Sequence, residues 1–574
     1  MPPDSYRSPY TVFYLVILIA LLAIVLLFEN QVNRYVEPLE SQVLPFRSVG
    51  NRGHIFFTDK DGGRHLAATT HFGYNLTISP LELGDPEEIY EHLAQEISLD
   101  RDAFFASAGK KETDEYEILR RNIPKSVKER IEDRIAMYNL EGVWLESFQQ
   151  REYPFGSLGA HVLGFVSVDE DDRVRGQYGI ENLFDEVLSG ISQSPRSAKV
   201  TLLKQLGEID EKDPVILAGN VILSIDINAQ RYLERVLQGI QNQWGAEKVG
   251  GIVMRPESGE VVAMGSRPTF DPNHYSKVTD YSTFNNPVVE DVYEMGSVFK
   301  ALTMAIGIDS ESVSPEDVYN DRGSVTIDGE TISNFDLKGR GPGTSMQTVL
   351  SQSLNTGAVF VLQQTGLETY REYFEEFGFD GITRIDLPKE TTGFTDNLDS
   401  NREVEFATAS FGQGIAVTPI ATVRAFASLA NDGVVVQPYT VKEIEQPKVG
   451  GIILGTANSR EERQVFDKET AEVVSAMLTR AYDRGIAGGA FRDPQYTIAA
   501  KTGTAQLVDP ETGGYAEGRV LHSFFGYLPA SDPQFIVFLF AVDPSAKYAS
   551  GTLPSPFRTI ANFLISYYGI PPDR

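Results

Sequence analysis

The chain has no cysteine among its 574 residues. Disulfides, thiolate zinc sites and cysteine nucleophiles are excluded together, and the absence suits an exported protein. Histidine is sparse as well: seven residues, scattered, with no His-Glu-x-x-His metal pair and no Gly-x-Ser-x-Gly nucleophile elbow. His161 and His522 stand in suggestive surroundings but are read as structural. Asp59-Lys60-Asp61-Gly62 hints at a calcium loop, yet its glycine is misplaced and position twelve is Thr70, so no metal site is expected. Basic residues are in deficit, 50 against 80 acidic ones, for a formal net charge of −30. That balance argues against nucleic-acid and other phosphate-rich partners.

What is present is an ordinary folded composition, 41% hydrophobic and 10% aromatic, with length for one large and one smaller domain or for several. Thr11 to Phe28 are apolar without interruption, eighteen residues, which just reaches the length of a membrane span. Glu29-Asn30-Gln31 follows in place of the small residues of a cleavage site, so an uncleaved anchor is expected. Arg7 lies before the run and Glu29, Glu37 and Glu40 after it, which puts the N-terminus in the cytoplasm and the rest outside.

Three short motifs follow one another: Ser297-Val298-Phe299-Lys300, Ser353-Leu354-Asn355 and Lys501-Thr502-Gly503-Thr504. A serine hydroxyl is a poor nucleophile at neutral pH and needs a base. If the first motif is helical, residues three apart share a face and Lys300 lies beside Ser297. A lysine works as a base only when burial and its neighbours depress its pKa, an environment that Lys501 and Ser353 can supply. Gly296 before Ser297, and the apolar run from Ala301 to Ile306, predict that Ser297 opens a buried helix whose terminal amides favour a developing oxyanion. The run from Thr348 to Val359 reads as a helix end or turn around Ser353. Tyr496 to Ala500, leading into Lys501, reads as a strand in which Gly503 admits a substrate backbone. The Ser-x-x-Lys spacing recurs at Ser107-Ala108-Gly109-Lys110, where a mid-turn glycine and the polar run to Asp114 predict a solvated loop.

In this order the motifs resemble the signature of penicillin-binding proteins and related β-lactamases. The stretches from Gly251 to Met264, Pro268 to Asn273 and Phe524 to Ala530 resemble parts of the penicillin-binding transpeptidase domain. Arg52-Gly53-His54-Ile55 with Asp61-Gly62, and Arg151-Glu152-Tyr153-Pro154 with Gly179-Ile180-Glu181, are similar to the non-catalytic pedestal, or dimerisation, domain of class B penicillin-binding proteins. The resemblance is to a monofunctional peptidoglycan D,D-transpeptidase of the penicillin-binding protein 2 or division type, towards which Asn355 leans. It implies an α+β fold: a cytoplasmic tail at 1–10, a transmembrane helix at 11–28, a mixed pedestal at 45–215, and a transpeptidase domain at 219–570 built on a five-stranded antiparallel sheet covered by helices. Within the pedestal, Asp85 to Phe104 and Asp114 to Ile135 show helical spacing. No glutamates sit in a glycosyltransferase setting, and no repeat is expected after the catalytic domain.

The resemblance also implies residue roles. Ser297 attacks a stem peptide ending in D-Ala-D-Ala, Lys300 takes its proton, and the N–H groups of Ser297 and Thr504 hold the oxyanion. Ser353 and Lys501 return a proton to the departing D-Ala, and Asn355 holds Lys300. Thr502, Gly503 and Thr504 bind substrate; β-lactams imitate the donor. No cofactor is implied. Partners are the stem peptide, β-lactams, the plasma or inner membrane, and a membrane glycosyltransferase of the shape, elongation, division and sporulation family. The rivals are a catalytically silent scaffold for that glycosyltransferase, and a D,D-carboxypeptidase or β-lactam-binding protein. Met295 and Val298 replace the family's usual proline and threonine beside the nucleophile; activity is expected to survive both.

Overall fold

Phe535–Val542 is apolar at every position, and a run of that length reads as a strand buried on both faces. In the computed structural model it is the middle of a five-stranded sheet in the order Ala499–Val508, Tyr515–Leu528, Phe535–Val542, Lys248–Met254, Val261–Arg267, every neighbour antiparallel. Residues 52–110, 116–169, 174–190, 218–448, 451–456, 462–509 and 512–574 are described. The expected tail and anchor at 1–28 lie outside them, and among the described residues no helix is long and apolar enough to cross a membrane.

One face of the sheet is covered by the helices Ile227–Trp244 and Pro554–Tyr568, whose Leu233, Leu237, Ile560 and Leu564 share an apolar cluster with Val253, Val537 and Leu539. The spacing of Leu233, Leu237 and Ile240 gives the first of these helices its apolar stripe. Asp226 caps it, accepting from the amides of Asn228 and Ala229, and Gly245 ends it in the left-handed conformation. The other face meets Lys300–Asp309 and Pro419–Ala427, with Met304 and Phe426 packed among Phe525, Tyr527 and Phe538. The rings of Phe426 and Phe525 stack with centroids 4.2 Å apart. The expected helix-covered antiparallel sheet is therefore present.

A second sheet crosses the boundary drawn from sequence. Its long strand Arg64–Ile78 pairs with Ile55–Thr58 near its start and with Glu117–Ile123 and Val143–Glu152 farther along. Ile55–Thr58 then runs parallel to Asn220–Asp226, which is followed by Val441–Lys448 and Gly451–Thr456. The strand that opens the catalytic region thus belongs to the pedestal's sheet and leads directly into the helix covering the catalytic one.

Two local expectations change. The stretch from Asp114 to Ile135 is not one helix: Glu117–Ile123 pairs into the sheet, and the helix Lys125–Tyr138 starts only after Pro124, which has no amide to continue a helix through it. Ser107 likewise lies in the last turn of the helix Arg101–Ala108, with Gly109 as its C-cap, instead of in a loop. Ser107 and Lys110 both donate to Glu117, so this second Ser-x-x-Lys forms no nucleophile–base pair.

The pedestal motifs converge on a buried carboxylate. Arg52 Nε and Arg151 Nε each donate to Glu181 at 2.7 Å, and Arg52 also reaches Asp185. Asn273, from the catalytic region, accepts from the Tyr153 amide and donates to its carbonyl, both at 2.9 Å. Burial alone would raise the Glu181 pKa, but the guanidiniums of Arg151 and Arg52 outweigh it and hold the carboxyl below its ordinary range. A group lowered in this way contributes stability above its unfolded pKa and loses it as pH falls through the folded value. Glu181→Ala, which strands two buried guanidiniums, is therefore expected to cost about 3–5 kcal/mol near neutrality. Chemical denaturation measures the gap, which should narrow below the carboxylate range; a pH-independent gap would show that the ionic network does not supply it.

Candidate active site

Gly296–Phe299 is a turn of 3-10 helix that passes directly into Lys300–Asp309. In that geometry side chains three apart eclipse one another, and Lys300 Nζ donates to Ser297 Oγ at 2.9 Å. Ser297 lies in the 3-10 turn that leads into the helix, where its sequence predicts that it opens the helix itself. Lys300 is 1% exposed, and its nitrogen also meets the Ser353 carbonyl at 2.6 Å, Ser353 Oγ at 3.2 Å and Asn355 Oδ1 at 2.7 Å. Burial first, and then the charge of Lys501, push its pKa well below the ordinary lysine value. A lowered pKa shifts the amine towards its neutral form, the form able to accept a proton.

Ser353 is the C-cap of the helix Met346–Gln352 and takes the left-handed conformation, φ 57°. Leu354 then turns the chain into Asn355–Thr365 and is fully buried, which anchors the bend. The bend puts Ser353 Oγ between both lysines, since Lys501 Nζ donates to it at 2.9 Å. Asn355 is held from behind, its Nδ2 donating to the Ser333 carbonyl at 2.8 Å. Lys501 lies on the edge strand of the catalytic sheet, 3% exposed, and burial brings its pKa down to about 7. Thr504 Oγ1 accepts from the Ala549 amide at 3.1 Å, leaving its proton for a ligand.

Ser297, Ser353, Asn355, Lys501, Thr502 and Thr504 all line one open cleft of ≈ 1340 Å³. Lys300 and Gly503 stand behind its wall. The Gly503 reason differs from the one expected: a Cβ there would lie 2.2 Å from Ser523 Oγ and 2.6 Å from the Met295 carbonyl. The close approach is made by the nucleophile's own turn. Gly296 needs its φ of 66° and equally has no room, since a Cβ would come 2.7 Å from the Thr504 carbonyl oxygen. The turn and the strand are thus pressed backbone to backbone, which brings the segments of Ser297 and Thr504 side by side.

Sequence reasoning missed the groups that hold this turn. Ser523 Oγ donates to the Met295 carbonyl at 2.6 Å. The Gly296 amide donates to the Gly412 carbonyl at 2.9 Å, and Glu294 accepts from the Gly414 amide at 3.0 Å and the Tyr515 hydroxyl at 3.0 Å. Ser523 adjoins the quoted Phe524-Phe525-Gly526 stretch, so alternation along that strand, which puts it on the same face as Phe525 and Leu521, was the available signal. The two tempting histidines stay structural. His522 pairs its Nδ1 with Thr552 Oγ1 and His161 its Nε2 with the Thr283 carbonyl; burial brings both pKa values down to about 4, and neither lines the cleft.

The family model described as the penicillin binding protein transpeptidase domain matches residues 249–562, and the penicillin-binding protein dimerisation domain matches residues 47–220. The chain belongs to the class B penicillin-binding proteins. Stage V sporulation protein D of Bacillus subtilis is 31% identical over 520 residues, 90% of this chain and 78% of that one. Peptidoglycan D,D-transpeptidase FtsI of Escherichia coli is 27% identical over 457 residues, 79% and 73% of the two chains. The crystal structure of penicillin binding protein 3 from Mycobacterium tuberculosis, complexed with aztreonam, shares the fold with a TM-score of 0.69 at 24% identity, covering 92% of this chain and 98% of that one.

In this penicillin-binding protein Met295 and Val298, where the resemblance implies proline and threonine, are both packed in the core. Met295 has φ −83°, close to what a proline would impose, and its carbonyl is pinned by Ser523. Gly503→Ala is expected to lower the rate of Ser297 acylation by roughly a hundredfold through displacement of this turn, with bulk melting little changed. Stopped-flow acylation by a fluorescent penicillin measures it, and a near-normal rate would show that the turn is not what Gly503 protects.

Proposed function

We propose that the chain crosslinks peptidoglycan stem peptides as a serine D,D-transpeptidase acting through an acyl-enzyme on Ser297. The observation that carries the reading is the unbroken contact Ser297–Lys300–Ser353–Lys501, at 2.9, 3.2 and 2.9 Å, opening onto the cleft. Lys501, with the hydroxyls of Thr502 and Thr504, receives the terminal carboxylate of a stem ending in D-Ala-D-Ala. Lys300 takes the Ser297 proton as Oγ bonds to the penultimate carbonyl carbon, and the amides of Ser297 and Thr504 take the oxyanion. The carbonyl re-forms, the C–N bond to the terminal D-Ala breaks, and the proton passes through Ser353 to its nitrogen. An amine of a neighbouring stem then attacks the ester, and the Ser297 oxygen leaves with a proton. Asn355 keeps Lys300 aimed throughout. The name of the FtsI relative and the aztreonam complex of the structural neighbour support both the activity and acylation of Ser297 by β-lactams.

The apolar run at 11–28 supports a single-pass anchor, with 1–10 in the cytoplasm and the pedestal at 45–215 and catalytic domain at 219–570 outside. A membrane glycosyltransferase of the shape, elongation, division and sporulation family is the fitting partner, since the chain itself crosslinks strands that another enzyme must polymerise.

Intact mass of the full-length protein in detergent, with and without benzylpenicillin, tests the nucleophile. One added drug mass, lost in Ser297→Ala, is expected; an adduct that persists in the variant places the nucleophile elsewhere. The pH profile of acylation tests the base. Because Lys300 titrates far below an ordinary lysine, the rate should fall as pH drops through its pKa, and decline again on the alkaline side as Lys501 loses its charge. A rate still rising steeply near pH 10 would mean that Lys300 is not neutral at physiological pH.

A further inference from the structure

The cleft differs in charge from the protein around it. Acidic residues outnumber basic ones 80 to 50 in the chain, yet none of the residues lining the cleft is Asp or Glu, while Arg340, Arg484, Lys501, Arg519 and Lys547 are among them. Two of these cations are neutralised from outside: Arg340 pairs with Asp336, and Arg519 with Asp543 and Glu247, none of which reaches the lining. Arg484 and Lys547 are different. Both are exposed, and neither has an ion pair among the described residues.

The two come from separate elements, each tied to a different part of the catalytic machinery. Arg484 ends the helix Lys468–Arg484, beside Gly485, where a Cβ would meet the Ser351 carbonyl at 2.7 Å, on the wall that carries Ser353. Its position at a helix C-terminus by itself favours a cation. Lys547 lies two residues before Ala549, whose amide donates to Thr504 Oγ1, and its ammonium sits over the neighbouring Tyr548 ring, 5.2 Å from the centroid, which leaves its charge without a carboxylate partner. Cations without a carboxylate partner, lining a cleft that itself carries no Asp or Glu, focus a positive field where substrate must lie. One carboxylate, the terminal D-Ala, is already met by Lys501.

Building on the transpeptidase reading, we infer that Arg484 and Lys547 select a donor stem whose internal carboxylates are free, and discriminate against stems in which they are amidated. A stem peptide carries its γ-linked glutamate with an α-carboxyl group that is either ionised or a carboxamide, and a diamino dicarboxylic acid at the third position brings another. Amidation removes the charge and turns one acceptor oxygen into a donor NH2 while leaving size nearly unchanged, so cations that only donate separate the two. Exposed charges contribute little to affinity singly, and the effect falls on encounter and on KM more than on kcat.

The test uses full-length protein in detergent and two synthetic pentapeptides ending in D-Ala-D-Ala, identical except for free or amidated internal carboxyl groups. D-Ala release gives kcat/KM for each, and their ratio is internally normalised for folding. The ratio is expected to favour the free peptide by roughly tenfold at low salt, to shrink as ionic strength rises, to fall towards one in Arg484→Gln/Lys547→Gln, and to return in Arg484→Lys/Lys547→Arg. A wild-type ratio of one, or a preference indifferent to salt and to both double variants, overturns the inference. If benzylpenicillin labels Ser297 and both peptides turn over equally, only the charge selection fails. If neither peptide releases D-Ala, the transpeptidase reading fails with it.

Discussion

Lys300 is an amine taken out of water and given no carboxylate: its nitrogen meets Ser297, Ser353 and Asn355, and the charge that bears on it is another lysine's, Lys501. The contrast with a lysine such as Lys128 is instructive. That residue sits at the surface beside Glu132, and the ion pair raises its pKa, so it stays an ammonium. Around Lys300 the fold supplies acceptors without supplying a negative charge. Protonation there gains hydrogen bonds but loses hydration and meets a second cation, and the balance shifts towards the neutral amine. The chemistry of the site follows from that withheld counter-ion.

Holding such a group needs a rigid frame, because its ligands are far apart in the chain. Lys300 and Ser353 are separated by 53 residues, Ser353 and Lys501 by 148. The frame is the antiparallel sheet, whose edge strand carries Lys501, and the helix packed on its face, which carries Lys300. Ser353 is joined to both by a bend whose left-handed backbone costs about 1–2 kcal/mol in a non-glycine residue. The helices on either side and the buried Leu354 enforce it, so strain is kept at the point where one hydroxyl must face two lysines.

Much of this was legible in the sequence, for identifiable reasons. Ser297, Lys300, Ser353, Asn355 and Lys501 stand in short motifs whose local geometry carries their meaning, and the structure brings all five together. Phe535–Val542 announced a buried strand through unbroken apolarity. The misses share another cause. The stretch after Asp114 has helix-compatible spacing but is claimed by pairing with Arg64–Ile78, a partner that local periodicity cannot see. Gly503 reads as an opening for substrate because a strand glycine permits close approach, while which backbone approaches is decided by the turn at Met295, more than two hundred residues away. The joining of pedestal and catalytic strands in one sheet is likewise a long-range pairing, invisible to any window of sequence.

Met295 shows how one constraint can replace another. A proline before Gly296 would fix φ by its ring and stiffen the turn that aims Ser297. Methionine leaves that torsion free, so the turn must be held by contacts formed only in the folded state. Those contacts are the Ser523 hydroxyl on the Met295 carbonyl, the Gly412 carbonyl on the Gly296 amide, and Glu294 bridging Gly414 and Tyr515. Burial raises the Glu294 pKa, so it is the Gly414 amide and the Tyr515 hydroxyl that compensate its lost hydration. The rigidity a ring would have built into the unfolded chain is here assembled from one strand, Tyr515–Leu528, and the loop through Gly412 and Gly414 meeting at the nucleophile's turn. The nucleophile's aim therefore depends on the integrity of the whole sheet, and a change at Ser523, remote in sequence and outside the motifs, acts on Ser297 through a single carbonyl.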